Sequence, residues 1–88
     1  MNAVITGGTK GIGKAIAVRL ASQGYNLSIC ARDEEALFSL KEELENLGVQ
    51  VFVFKADMAL KTDVYSFCEG VEKVMPVVDV LINMPEPF

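Results

Sequence analysis

Val4-Ile5-Thr6-Gly7-Gly8-Thr9-Lys10-Gly11-Ile12-Gly13-Lys14 is the stretch from which the rest of the chain can be read. The apolar run Ala3-Val4-Ile5 enters a glycine-rich turn, and the turn runs into a segment of helical periodicity. A strand, a glycine turn and a helix in that order let the backbone approach a phosphate, with the helix N-terminus offering N–H groups and a positive dipole end. The glycines fall as G-x-x-x-G-x-G. Gly7 would turn the chain out of the strand. Gly11 would let a pyrophosphate reach the main chain, and Gly13 would let the helix lie close on the sheet.

Two other readings of the turn are weaker. Gly8 and Gly13-Lys14 fit the start of a nucleoside-triphosphate loop, but that loop needs Ser or Thr next and Ala15 follows. A bare turn without a ligand would have to justify the chain entropy of its glycines.

Working outward, the periodicity predicts a helix from Gly11 to about Gly24, with Ile12, Ile16 and Leu20 on its apolar stripe and Ala15, Ala17 and Ala21 allowing close packing. Leu27-Ser28-Ile29-Cys30-Ala31 is a second strand. Glu34 to Leu47 is an amphipathic helix with Leu37, Leu40, Leu44 and Leu47 on one side, and Asp33 is placed to cap it. Val51-Phe52-Val53-Phe54 is a third strand. A helix beginning at Thr62-Asp63 carries Val64, Phe67, Cys68, Val71 and Val74, and Pro76 stops it. Val77 to Ile82 is a fourth strand. Four alternations of strand and helix with short connections predict a parallel α/β sheet.

The chain resembles the short-chain dehydrogenases/reductases. Thr6-Gly7-Gly8-Thr9-Lys10-Gly11-Ile12-Gly13 looks like that family's T-G-x-x-x-G-x-G cofactor motif, and the likeness runs from Asn2 to about Asn83. The resemblance implies a three-layer Rossmann-like fold with strand order 3-2-1-4, half of a doubly wound domain. Residues 1–88 would form a single nucleotide-binding domain, the N-terminal part of a longer enzyme. Gly7, Thr9, Lys10, Gly11, Ile12 and Gly13 would form the pyrophosphate side of the site. Members that prefer NAD place Asp at the last position of the second strand, where this chain has Ala31. Members that prefer NADP place Arg at the next position, matching Arg32, and often a basic residue matching Lys10. A bidentate guanidinium suits a doubly charged 2′-phosphate, so NADP is favoured over NAD. Asp57 and Met58 match the family's adenine contact, and Asn83 matches the first residue of its Asn-Asn-Ala-Gly segment. Met84, Pro85 and Glu86 depart from that segment.

The family's proton-transfer set is a Ser with Tyr-x-x-x-Lys. Tyr25 is followed at that spacing by Ile29 and Tyr65 by Glu69, so no catalytic residue is assigned, and both tyrosines are expected to pack at element edges. The activity implied is NADP(H)-dependent hydride transfer with a small carbonyl or alcohol substrate. The alternative is a non-catalytic dinucleotide-binding or interaction module.

Composition sets limits around these readings. Eighty-eight residues make at most one small domain, 51% of them hydrophobic. The net charge of −4, without a basic stripe, argues against nucleic acid and anionic membranes as partners. No apolar run approaches the ~20 residues of a membrane span, and no signal peptide precedes the first strand, so a cytoplasmic location is expected. The chain has no histidine, which excludes a His-ligated metal within it. Cys30 and Cys68 are expected to be reduced and buried. An unprotected parallel edge at the fourth strand predicts a homo-oligomer.

Overall fold

The computed structural model describes residues 1–7 and 9–84. Its elements run β1 (Asn2–Thr6), α1 (Gly11–Ser22), β2 (Asn26–Ala31), α2 (Glu34–Glu45), β3 (Val51–Lys55), α3 (Lys61–Val74) and β4 (Val80–Asn83). The four strands form one parallel sheet in the order β3-β2-β1-β4. Both the α/β class and the expected order 3-2-1-4 are therefore present. The register sets Thr6 opposite Cys30 on one side and opposite Asn83 on the other, so the C-terminal ends of β1, β2 and β4 lie side by side.

Alternation along each strand sorts the apolar residues to two faces. Ala3, Ile5, Leu27, Ile29 and Val51 pack with Ala17 and Ala21 of α1 and Leu37, Leu40 and Leu44 of α2. Val4 and Cys30 point the other way and pack with Phe67, Val71 and Met75 of the α3 side. Two helices thus cover one face and α3 the other, giving three layers. On the α3 side, Phe52, Phe54 and Phe67 form an aromatic cluster with ring centroids 6.1–6.4 Å apart.

Several side chains lie elsewhere than periodicity predicts. Ile12 is 71% exposed, and the buried stripe of α1 is Gly13, Ala17 and Ala21, with Ile16 and Leu20 half-buried beside it. Small residues at i, i+4 and i+8 let the helix backbone lie close on the sheet, which turns the larger residues to its flanks. Helix α2 ends at Glu45, two residues before Leu47, which is exposed. In α3 only Phe67 and Val71 are buried, while Cys68 and Val74 face outward. A single helix covering half of a sheet face buries a narrow stripe. Cys30 is buried as expected, Cys68 is exposed, and neither is in a disulfide. Tyr25 packs at the edge of the core as expected, but Tyr65 is exposed. Strand β4 begins at Val80, three residues later than its apolar run suggests. The Asn2 backbone N–H donates to the Asp79 carboxylate and the Asp79 N–H to the Asn2 carbonyl, which places the start of pairing there.

Candidate functional site

At the C-terminal end of β1 the chain leaves the sheet through Gly7, whose φ is +75°. The Gly7 N–H donates to the Cys30 carbonyl at 2.7 Å, so the turn starts as a continuation of the β1–β2 ladder. Gly11 opens α1 with φ +55°, a conformation that costs any residue with a Cβ. A Cβ at Gly11 would meet no protein atom within 4 Å. The space beside Gly11 is therefore open, and a side chain would reduce it. Lys10 stands at the N-cap of α1 but makes no side-chain capping bond, and the first turn holds no acidic residue. The first N–H groups of an α-helix have no intrahelical partner and carry the positive end of its dipole.

A cavity of about 380 Å³ lies over the loop. Gly7, Thr9, Lys10, Gly11, Ile12 and Gly13 line it from β1 and α1, Ala31, Arg32 and Asp33 from the end of β2, and Met84 from the end of β4. The fold thus brings together seven of the ten site residues expected from the sequence. Two cations, Lys10 and Arg32, flank an open glycine turn at a helix N-terminus, a donor set suited to phosphates. Asp33, although beside Arg32, is occupied structurally, because its carboxylate accepts from the Ala36 N–H at 3.1 Å and caps α2.

The other three expected residues lie outside this cavity. Asp57 follows β3 and is held locally. Its carboxylate accepts from the Ala59 N–H at 2.9 Å, and its own N–H donates to the Asp63 carboxylate at 2.8 Å. The Met58 sulfur accepts from the Cys30 thiol at 3.4 Å. Met58 and Asn83 instead line a second opening of about 460 Å³ on the α3 side, together with Val4, Phe67 and Leu81. The Asn83 carboxamide oxygen accepts from the Thr6 hydroxyl at 2.6 Å. Met84 was not foreseen as a wall of the first cavity. The signal for it was its position, directly after Asn83, where the family resemblance breaks. Pro85 and Glu86, the rest of that departure, lie outside the described residues.

The family model for short chain dehydrogenases matches residues 1–84. The chain belongs to the short-chain dehydrogenase family. It is 34% identical over 83 residues to a 3-oxoacyl-[acyl-carrier-protein] reductase of Staphylococcus epidermidis, covering 93% of this chain and 34% of that protein. It is 38% identical over 80 residues to the glycine betaine reductase of Emericella nidulans, covering 91% of this chain but 6% of that much longer protein. Among solved structures, L-sorbose reductase from Gluconobacter frateurii, complexed with NADPH and L-sorbose, superposes with a TM-score of 0.92 at 33% identity. A variant of actinorhodin polyketide ketoreductase, solved with NADPH, gives 0.88 at 35% identity. The chain covers 98% and 94% of itself in these two matches, and 33% and 32% of those proteins. It therefore spans about a third of the bacterial reductases it resembles.

Among the described residues no helix is long and apolar enough to cross a membrane, and no group of three or more Cys, Asp or Glu could hold a metal ion.

Proposed function

We propose that this chain is the cofactor-binding part of an NADP(H)-dependent short-chain oxidoreductase acting on a small carbonyl or alcohol. The observation that carries the reading is the single cavity joining the open glycine turn, Lys10 and Arg32. The turn and the α1 N-terminus would hold the pyrophosphate through backbone N–H groups. Arg32 would take the 2′-phosphate, and Lys10 would add positive charge. Ala31 supplies no carboxylate to repel that phosphate, and the Asp33 carboxylate is committed to capping α2. The NADPH-bound neighbours support the same cofactor.

When bound, the cofactor supplies the hydride. The residues of this chain bind and orient it, and none is assigned to proton transfer, since neither Tyr25 nor Tyr65 has a Lys four residues on. Asp57 and Met58 remain proposed adenine neighbours, and Asn83 a proposed support for the loop through Thr6. A cytoplasmic location and self-association belong to the same reading. The latter is supported by Leu81, 68% exposed on β4.

The test is comparative binding of NADPH and NADH to the wild-type chain and to Arg32→Ala. The expected result is a wild-type preference for NADPH that the substitution removes. Equal affinity of the wild-type chain for both nucleotides, or a preference that survives the substitution, would overturn the assignment.

A further inference from the structure

The two edges of the sheet are unlike. At the β3 edge, Phe52 and Phe54 pack into the core on the α3 side, and the strand ends in an exposed Lys55. At the β4 edge, Val80 and Ile82 pack toward α1 and α2. Leu81 pairs with Val4 on the α3 face, yet it is 68% exposed where Val4 is buried. Phe67 and Val71 of α3 cover Val4 and stop short of β4, so Leu81 and Val78 line the opening of about 460 Å³.

The β4 edge also lacks the features that normally block association. An edge strand presents a row of unpaired N–H and C=O groups, which charges, proline or a bulge usually protect. Val80–Asn83 contains no charged residue, glycine or proline. The neighbouring carboxylate, Asp79, is turned toward β1, where it accepts the Asn2 N–H at 2.8 Å. Among the described residues β4 pairs with β1 alone.

We infer that β4 pairs antiparallel with β4 of a second copy of this chain, across a two-fold axis normal to the sheet, with Leu81 against the partner's Leu81. The inference deepens the self-association proposed above and rests on it, while being independent of which nucleotide binds. A strand edge and its two-fold mate are self-complementary, so the contact closes at a dimer. Directly opposed residues of an antiparallel pair share a face, which leaves registers centred on Leu81 or on Ile82. The first sets leucine against leucine. The second sets Leu81 against the partner's Asn83, an amide, so apolar burial selects the first. The net charge of −4 on each chain lies off the paired strand. Four residues give roughly 13 Å of edge at ~3.3 Å each. An interface that short falls below the ~1,200 Å² of a standard one, so a weak dimer with a Kd of about 10–100 μM is expected.

The experiment is analytical ultracentrifugation of the 88-residue chain over roughly 5–500 μM, bracketing that Kd. Wild type, Leu81→Lys, Leu81→Glu and an equimolar mixture of the two variants are compared, with Tyr65→Lys as a control on the exposed side of α3. Thermal melts confirm that each variant is folded, and Leu81→Gln replaces either charged variant that melts early. Wild type and Tyr65→Lys are expected to dimerise with the same Kd within about threefold. Each Leu81 variant is expected to weaken the dimer more than tenfold, and the Lys–Glu mixture to recover it to within about threefold of wild type, because opposite charges then meet across the axis. A dimer indifferent to Leu81, a mixture that does not recover, or species larger than a dimer overturns the β4 pairing and leaves self-association through another surface. A wild-type chain that stays monomeric at every concentration overturns self-association, and this inference with it, and assigns the edge to a strand from a different chain. NADPH titrations report on the other cavity, so their failure leaves the β4 pairing standing.

Discussion

The Thr6 hydroxyl donates to the Asn83 carboxamide oxygen at 2.6 Å, joining the last residue of β1 to the last residue of β4. Thr6 is buried and Asn83 is exposed. The bond therefore sits at the point where the glycine turn leaves the sheet, and it is the side-chain counterpart of the Met84–Thr6 backbone bond one residue further on. The two partners should respond differently to removal. Asn83→Ala leaves a buried hydroxyl without its acceptor and should cost about 1–2 kcal/mol. Thr6→Val removes the buried polar group and leaves an amide that water can satisfy, so it should cost about 1 kcal/mol less. Urea denaturation of both variants measures the difference.

Asp33 tests which job a site residue performs. Its carboxylate caps α2 through the Ala36 N–H, so Asp33→Ala should destabilise the chain by ~1 kcal/mol. Asp33→Asn keeps the capping oxygen and should retain most of that stability. Neither change should alter the preference between NADPH and NADH, because the carboxylate is committed to the α2 cap. Thermal melts and the two nucleotide titrations report the two effects separately.

Gly11→Ala should separate folding from binding. Its φ of +55° makes any Cβ unfavourable by about 1 kcal/mol, but no protein atom stands in the way. The new methyl instead occupies the open side of the turn. NADPH affinity should fall more than tenfold, a larger loss in free energy than the ~1 kcal/mol lost in stability. Chemical denaturation and calorimetry of the same sample compare them.

Gly70→Ala is a packing test on the other face. Alanine is the better helix former by ~1 kcal/mol, yet its Cβ would lie 2.7 Å from Cζ of Phe52. That ring stacks against Phe67 at an interplanar angle of 7° and cannot retreat freely. Overpacking of this kind costs ~1–3 kcal/mol, so a net loss of about 1 kcal/mol is expected. In the Phe52→Leu background, where the distal ring atoms are gone, the same substitution should be neutral or stabilising.

What the sequence determined by itself is the order and kind of the elements and the position of the glycine turn. Alternation of period 2 and period 3.6 names strands and helices because burial on a sheet face and on a helix stripe repeats at those intervals. Gly7, Gly11, Asp33 and Arg32 were likewise legible, because a turn, a cap and a charge at a strand end are local requirements. Only the tertiary structure decided how each helix is rotated on the sheet. In α1, Gly13, Ala17 and Ala21 take the buried line and Ile12 turns to the cavity, because a helix packed closely on strands buries its smallest residues beneath it. In α3, Cys68 and Val74 stay outside because no second helix among the described residues closes over them. The division of the expected site was also invisible in one dimension. Arg32 and the turn meet over one face of the β1 end, while Met58 and Asn83 meet over the other. Met84 enters the first cavity because β4 pairs with β1, a contact between residues more than seventy positions apart that no local pattern encodes.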